Sequence, residues 1–486
     1  MVMRIIGNDP QDPGAPPTGV DAGTGKTRAW ALGLYTVGNY PAVVQFHEDR
    51  LCLAGCPSQP ERVDMSNSGI YETFSPSAVL DGTVTDDSAL AFALNSNEVN
   101  AIRWLQSDQN GLLIGTAGGE WLMSSAFTNS PLTPTSVSAH QSTQHGSQPI
   151  APVRVGVDTM FVQIGGKILR QMVYNYYING FQGANIAFRA EHLAAPGIIQ
   201  VARQRTPQPL IWLVRADGKL ASVLYEPTEQ QHPQDCGWAL QFDYSGISVQ
   251  SIAVIPSVDT SRDELWLAVT RTLPDGDHTY IERMSKLWEE GDATPFTLNG
   301  ESGYHFTPSL TTYLDSAQRT VFGSAVTNIT GLDHLEGMTV GVLVDGATHP
   351  DVVVTSGAIT LDAAALDVNV GLKYTSRART MHVEAGAADG TAMGKKKRIW
   401  KVVFRLFSSL GFKVLPNGTG GQLTDVEPFR STADLMDSPP PLFSGDYNVD
   451  WEGTYETEGF VEFLQDDPLP LNVSSVVLKL ETMDDD

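Results

Sequence analysis

A short apolar strand, a tight turn and a second strand recur at nearly regular intervals in this sequence. The copies begin at residues 49, 111, 158, 210 and 263, which are 62, 47, 52 and 53 residues apart. Blades of β-propellers repeat every ~40–50 residues. The turns contain Gly118-Gly119, Gly165-Gly166 and Asp217-Gly218, which supply the positive φ that tight hairpins need. The repeat predicts an all-β protein with an irregular β-propeller-like body; a stack of β-sandwiches is the alternative that the same hairpins could build.

Helical periodicity is nearly absent. No run of 12 or more residues places apolar side chains at i, i+3, i+4 and i+7 in a convincing way. The stretch from Leu90 to Leu94 is helical in composition, but its large side chains fall on every second position, which predicts a strand. The 45 Gly and 29 Pro favour many turns between short strands.

The changes of pattern divide the chain into four parts. Residues 1–36 form an N-terminal arm rich in Pro and Gly, and residues 37–320 form the propeller-like body. Residues 321–375 are predicted to be a small β platform domain, of barrel or sandwich type, too small to be stable without a neighbour. In residues 376–486, strands return to the body.

A long polar loop is predicted over residues 416–458. It contains Pro439-Pro440-Pro441, which resists collapse onto the body. Loops of this length in a compact domain are usually functional. We therefore expect this loop to be shaped by a partner.

The charge balance limits the partners. The chain has 31 Lys plus Arg and 56 Asp plus Glu, a formal charge of −25, which is unfavourable for tight nucleic-acid binding. Its longest apolar runs have about six residues, whereas a membrane span needs roughly 20, so no membrane insertion is expected. The first ten residues contain no signal-peptide core, and three cysteines, an odd number, fit a reducing cytoplasm.

Motifs for catalysis or metal binding are incomplete. His47-Glu48 begins a zinc-protease motif, but no second His follows four residues later. Cys52 and Cys56 lack metal-ligand spacing and read as small buried apolar residues. No nucleophile elbow is present, and Asp86-Asp87 read as solvated loop acids. The sequence therefore predicts no catalytic, cofactor-binding or metal-binding residues, and no enzyme.

One dense basic run stands out in this acidic chain: Lys395, Lys396, Lys397 and Arg398. It precedes a predicted strand that begins at Ile399. Such a run is a candidate contact with a DNA end or with acidic side chains of a neighbouring subunit. A solvated turn is the alternative, and the sequence does not decide between them.

Five segments, in this order, resemble one known family. They are residues 40–59, residues 99–105, residues 113–121 with Gly118-Gly119-Glu120-Trp121, residues 334–346 with His334-Leu335-Glu336-Gly337 and Asp345-Gly346, and residues 395–399 together with Gln465-Asp466-Asp467-Pro468. Together they are similar to the tail nozzle proteins of short-tailed bacteriophages, also called tail tubular protein B, over roughly residues 25–480.

The resemblance implies a structural virion protein without an enzymatic role. It implies a homohexameric tube below the portal and adaptor (gatekeeper) rings that closes the channel and conducts genomic DNA, which passes without specific contacts. Tail fibres or tailspikes are further implied partners. The implied location is the virion tail, assembled in the cytoplasm of the bacterial host. Many relatives carry a longer N-terminal part, so an N-terminal platform domain is expected to be missing or reduced.

The alternative function is a glycan- or receptor-binding β-propeller of a phage or bacterium. Exposed aromatic clusters would favour it, and Tyr174, Tyr176 and Tyr177 are the best candidates. The same tyrosines could equally lie in a core or a subunit contact.

Overall fold

The structure of the chain is a computed structural model. It describes residues 20–21, 26–27, 34–77, 83–95, 100–127, 130–177, 180–226, 236–241, 245–258, 261–286, 293–298, 301–306, 312–384, 391, 393–416, 423–426 and 441–483. Two compact units are present. The first comprises Met1–Asp243 and Ile247–Val269, and the second comprises Tyr244–Gly246 and Thr270–Asp486.

The first unit is built from consecutive four-stranded antiparallel meanders, preceded by a short hairpin of β1 (Val20–Asp21) and β2 (Lys26–Thr27). The first sheet contains β3 (Val43–His47), β4 (Arg50–Cys56), β5 (Gln59–Met65) and β6 (Leu90–Ala93). The second sheet contains β7 (Ile102–Asp108), β8 (Gly111–Thr116), β9 (Glu120–Ser125) and β10 (Val137–Thr143). The third sheet contains β11 (Val153–Val155), β12 (Asp158–Val162), β13 (Leu169–Asn175) and β14 (Gly180–Asn185), and the fourth contains β15 (Ile198–Gln204), β16 (Leu210–Arg215), β17 (Leu220–Leu224) and β18 (Gly237–Leu240).

The repeated sequence unit coincides with the inner strands of these sheets. Every residue of β8 and β12 is buried, and so is nearly every residue of β16. Continuous apolar runs suit strands that are covered on both faces. The copies that begin at residues 111, 158 and 210 form β8–β9, β12–β13 and β16–β17, and the stretch from Leu90 forms β6. The repeat therefore predicted these strands correctly.

Glycine turns connect successive sheets. Gly166 and Gly218 have φ of +75° and +77°, and the carbonyl of each accepts a backbone N–H from the next sheet, from Ile198 and Val249, both at 2.7 Å. A Cβ at Gly218 would overlap the side chain of Ser248. These turns need glycine both for the left-handed backbone and for the close approach of the next sheet.

The apolar cores of the first unit lie between neighbouring sheets. One cluster joins the first and second sheets and includes Cys52 and Met65. A second joins the second and third sheets through Trp104 and Phe161, whose ring centroids are 5.6 Å apart. A third joins the third and fourth sheets, with Tyr225 among its members. Face-to-face contact of successive four-stranded sheets is the arrangement of propeller blades.

A three-stranded sheet of β19 (Ile247–Pro256), β20 (Asp263–Leu273) and β21 (Gly276–Arg283) follows, and the division between the units passes through β20. The second unit continues with a hairpin of β22 (Ala293–Leu298) and β23 (Glu301–Phe306). Next is a sheet of order β24-β27-β25-β26, made of β24 (Asp315–Thr330), β25 (Thr339–Val344), β26 (Ala347–Val353) and β27 (Ala358–Leu372). Its core includes Leu332, Leu335 and Val340, all at 0% exposure.

Two further sheets complete the second unit. The first has the strand order β28 (Ser376–Arg379), β33 (Glu462–Gln465), β30 (Phe412–Val414) and β31 (Thr424–Val426). The second has the order β32 (Phe443–Asp450), β29 (Lys396–Ser409) and β34 (Val473–Met483). Phe404, Phe412 and Phe463 join them in one core through edge-to-face ring contacts.

The all-β fold class, with a propeller-like body and an additional β domain, is confirmed. Among the described residues, helix is limited to α1 (Glu191–Ala194) and a 3-10 turn at Asp333–Leu335. The predicted domain boundaries (1–36, 37–320, 321–375 and 376–486) stay predictions. Most of the N-terminal arm lies outside the described residues, as do Pro439 and Pro440.

The predicted loop over residues 416–458 is wrong in part. It contains β31 and the eight-residue β32, which pairs with β29 through partners such as Val402 and Val449. The segment was predicted to be a loop because it is polar and contains Pro439-Pro440-Pro441, but Phe443, Tyr447 and Val449 lie on alternate positions and pack against the core. Burial of that face explains why the segment is a strand.

Candidate functional site

The predicted basic site lies at the beginning of β29. Strand alternation separates its members: Lys396 and Arg398 are exposed, whereas Lys397 is 2% exposed. The Lys397 Nζ donates to the carbonyl of Thr457 at 2.9 Å, and its backbone exchanges two hydrogen bonds with Glu456. From Lys396 onward the run is therefore strand and not turn, and Lys397 contacts its own chain.

Arg398 also has partners within the chain. Its Nε donates to the carbonyl of Gly453 at 3.2 Å, its Nη1 lies 3.9 Å from Glu481 Oε1, and its guanidinium lies 5.9 Å from the ring centroid of Tyr455. The contact with a DNA end or a neighbouring subunit stays a prediction. In this structure, Lys395, Lys396 and Arg398 could make it without rearrangement of a buried side chain.

The basic run belongs to a longer basic segment. Residues 373–413 contain ten Lys or Arg but only two acids, Glu384 and Asp389. Acids of the later strands β32 and β33 and the segment that follows pair with it: Arg377 with Glu462, Lys401 with Asp450, Arg405 with Asp446, and Lys413 with Asp466. Cross-strand opposite charges stabilise a sheet modestly. The chain thus neutralises much of this segment itself.

The three tyrosines of the alternative function lie on one hairpin, β13–β14. Tyr174 packs edge-to-face on the buried Phe181, with ring centroids 5.5 Å apart. Tyr176 and Tyr177 are 85% and 96% exposed. The Asn175 side chain accepts the backbone N–H of Tyr177 at 2.9 Å and donates to Gln182 at 3.1 Å. A hydrogen-bonded base therefore presents two exposed phenol rings, which we call the tyrosine hairpin.

Polar contacts connect the same ends of the first four sheets. His47, at the end of β3, bonds Ser107 Oγ at 2.9 Å, and Asp108, at the end of β7, lies 3.5 Å from the Arg154 guanidinium. Arg203 of β15 donates to the carbonyl of Arg154. We call these contacts the inter-sheet chain. Burial lowers the pKa of His47, so its imidazole is kept neutral.

The inter-sheet chain continues to the strand β20. Two guanidinium nitrogens of Arg205 donate to Asp263 at 3.1 and 3.0 Å, and these bonds lower the pKa of the Asp263 carboxyl. The sequence analysis did not identify these residues. The available signal was their position, because most of them lie at or just beyond the end of the first strand of a sheet, shortly before a copy of the repeat begins.

Glu120 forms a buried polar centre between the second and third sheets. It is 0% exposed and accepts hydrogen bonds from Thr143 Oγ1 at 2.5 Å, Ser147 Oγ at 2.8 Å and the backbone N–H of His145 at 3.3 Å. Burial lowers the pKa of His145, and the nearby Arg170 adds to this. The carboxylate fixes the connection between the two sheets.

A cavity of about 320 Å³ lies within the second unit. Its lining combines the aromatic rings of Tyr313, Tyr374 and Phe463 with the polar side chains of Arg377, Gln465 and Asp467. Burial raises the pKa of Tyr374 to about 12. Gln465 already bonds Gly411 and Asp467, and Asp467 pairs with Lys373 at 3.2 Å.

The described residues contain no group of three or more His, Cys, Asp or Glu that could hold a metal ion. Cys52 and Cys56 are buried at 0% and 1% exposure, as predicted for small apolar residues. In the part of the chain that the structure describes, no helix has the length and apolar character needed to cross a bilayer.

Comparison with known proteins gave matches to solved structures alone: no family model and no curated protein matches the chain. Human WBSCR16 matches at 13% identity and a TM-score of 0.30, over 58% of this chain and 72% of that one. The exo-beta-1,3-galactanase of Phanerochaete chrysosporium matches at 10% identity and a TM-score of 0.25, over 94% of this chain and 97% of that one. An engineered GH43 glycoside hydrolase with endo-xylanase and exo-arabinofuranosidase activity matches at 11% identity and a TM-score of 0.23, over 92% of this chain and 98% of that one.

This comparison corrects one expectation. The sequence motifs predicted no enzymatic role, but two of these similar structures are glycoside hydrolases. The prediction was wrong as stated, because missing sequence motifs do not rule out a site assembled from distant residues. TM-scores this low do not assign an activity to this chain, and catalytic activity has to be measured by assay.

Proposed function

We propose that this chain is the tail nozzle subunit of a short-tailed bacteriophage. Six copies would form a tube that closes the genome-ejection channel and conducts DNA through it. The observation that carries the proposal is the presence of five family-like segments in the same order along the chain. The acidic charge supports it, because an acidic lining repels DNA phosphates and lets the duplex slide.

The positions of these segments in the fold are consistent with a scaffold. Gly115 of the third segment lies against the Trp104 indole of the second, and Gly118 lies against Asn100. In the fourth segment, the Glu336 carboxylate accepts the backbone N–H groups of Ser356 and Gly357 at 2.9 and 2.7 Å. The family-like residues therefore hold turns and sheets in place.

The proposal includes partners and a location. The homohexamer would bind the portal-adaptor ring on one side and tail fibres or tailspikes on the other, in the virion tail, after assembly in the bacterial cytoplasm. Like-charge repulsion between copies at −25 each predicts that isolated chains stay monomeric until the adaptor templates the ring.

Electron microscopy of tails tests this proposal. The chain would be co-expressed with the portal and adaptor proteins of a short-tailed phage, and particles would be classified by symmetry. Six copies below the adaptor are expected. A different rotational symmetry, or a chain that stays unbound beside assembled adaptor rings, would refute the nozzle function.

A second candidate is a glycan- or receptor-binding propeller. The exposure of Tyr176 and Tyr177 favours it, because tyrosine gives a rigid contact surface with a polar tip. A glycan array probed with the purified chain tests it, and assay of released reducing ends separates binding from hydrolysis. A chain that retains no glycan would contradict this candidate.

A further inference from the structure

The second and third sheets lack exposed acids, although the chain as a whole is strongly acidic. An even spread of the 56 acids would place about nine in residues 109–190, but this stretch contains two, Glu120 and Asp158. They are 0% and 2% exposed. Asp108, the last residue of β7, is the remaining acid of the second sheet and is 7% exposed, so the described residues of these two sheets present no exposed carboxylate.

The cations of this stretch are few and lie mostly away from the tyrosine hairpin. Lys167 lies in the β12–β13 turn and Arg189 follows β14, and in an antiparallel meander both positions are at the end opposite the β13–β14 turn. Arg170 is half-buried and donates to Gln163 and the carbonyl of Gly183 at 2.7 and 2.6 Å. Arg154 is held by Asp108 in the inter-sheet chain.

The surface beside the tyrosine hairpin is polar; its strands β10 and β14 carry no Lys, Arg, Asp or Glu, and their one titratable side chain is the exposed His140. The strands β10 and β14 are edge strands of neighbouring sheets and contact one another. Gln141 and Gln182 are exposed on them, and Ser142 and Thr143 are half-buried. Phe127, 65% exposed, lies in the connection of the second sheet that corresponds to the β13–β14 turn.

We propose that the tyrosine hairpin and the adjoining edges β10 and β14, together called the neutral face, bind an electrically neutral polysaccharide. This inference rests on the second proposed function and names its ligand class and site. Amides and hydroxyls both donate and accept hydrogen bonds, as sugar hydroxyls require. Tyrosine rings cover the apolar faces of sugar rings at a low cost in side-chain entropy.

Charge selects this occupant. An anionic polymer would find few exposed cations on the neutral face, and a cationic partner would find no exposed carboxylate among the described residues of 109–190. A neutral polysaccharide needs neither. Its binding should accordingly be insensitive to salt, because no ion pair is formed.

The test measures binding of the full chain to two neutral polymers, dextran and laminarin, and two anionic ones, polygalacturonate and heparin. Affinity electrophoresis and calorimetry would be run at low salt and at tenfold higher salt. The expected result is binding to at least one neutral polymer at both salt concentrations. The double variant Tyr176→Ala/Tyr177→Ala should weaken it by about tenfold or more, as expected for paired aromatic contacts.

Tyr40→Ala is the matched control, because Tyr40 is 61% exposed but lies outside the neutral face. It should leave binding unchanged. Salt-sensitive binding to anionic polymers alone would overturn the inference and leave glycan binding standing. Neutral binding that survives the double variant would overturn the assigned site. If the chain binds none of the four polymers, the inference is overturned, whatever the sedimentation of the tyrosine variant. If the sedimentation of the chain changes when the tyrosines are mutated, this face is a contact between copies.

Discussion

Gly115→Ala should destabilise the first unit, because the added methyl group has no room. An ideal Cβ at this position would lie 2.5 Å from Trp104 Cζ2 and closer still to other indole atoms. Trp104 is 1% exposed and packs against Phe161 in the core between the second and third sheets. The indole cannot move without disturbing that core.

The magnitude follows from two opposing effects. Overpacking a close-packed core costs about 1–3 kcal/mol. Replacing glycine within a strand returns about 0.5–1 kcal/mol by reducing the freedom of the unfolded chain. The overlap in this case is severe, so we expect a net loss of about 1–2 kcal/mol. For a unit of this size, each kcal/mol lowers the melting temperature by about 2–4 °C.

The assay is thermal unfolding of the full chain, followed by tryptophan fluorescence. Gly323→Ala is the matched control, since a Cβ at Gly323 on β24 meets no atom within 4 Å. It should leave the melting temperature unchanged or raise it slightly. The double variant Gly115→Ala/Trp104→Leu should lose less than the sum of its single variants, because the smaller side chain makes room. Equal stability of Gly115→Ala and Gly323→Ala would refute the reasoning.

Three further predictions concern buried polar groups. Glu120→Ala should cost about 1–3 kcal/mol for each donor left without an acceptor, measured by urea unfolding, whereas the exposed Glu191→Ala should cost little; equal losses would contradict the role of Glu120. Arg271 is 2% exposed and bonded to both Glu282 and Asp315. The substitution Arg271→Ala should lower the free energy of unfolding by about 3–5 kcal/mol, whereas breaking the surface pair of Arg319 and Asp367 should lower it by at most about 1 kcal/mol. The pKa of His47 is lowered in the folded state, so the unfolded chain binds the imidazole proton first, and the stability of the fold should fall as the pH drops below about 6.5. The variant His47→Gln should lose less stability than the unchanged chain between pH 7 and 5. An unchanged pH profile of stability in this variant would refute the prediction.

Much of the fold could be predicted because the apolar strands have a local signature. The run Leu210 to Val214 is continuous and bounded by turn residues, and it forms a buried inner strand, β16. The strand β32 was missed because it lies in a mostly polar stretch that follows Pro439-Pro440-Pro441. Only pairing with β29, which is distant in sequence, makes that segment a strand.

The candidate sites were harder to predict, because exposure depends on which face of a strand a residue occupies. Four consecutive cations, Lys395 to Arg398, suggested one patch, but a strand directs alternate side chains to opposite faces. Lys397 therefore shares the inward face with Ile399. The inter-sheet chain joins residues such as Ser107 and Arg154 that no local pattern connects.

The uneven distribution of charge changes how the formal charge of −25 can act. Acids of β32 and β33 and the segment after them offset the basic segment of residues 373–413, and residues 109–190 expose no described carboxylate. The acid excess that could repel DNA must therefore come from the remaining surface. Replacing acids outside these two regions by neutral residues, two at a time, should alter DNA passage in a nozzle. Replacing the acids that pair with the basic segment should instead affect the stability of the second unit. The two effects are separable by measuring DNA retention and thermal unfolding on the same variants.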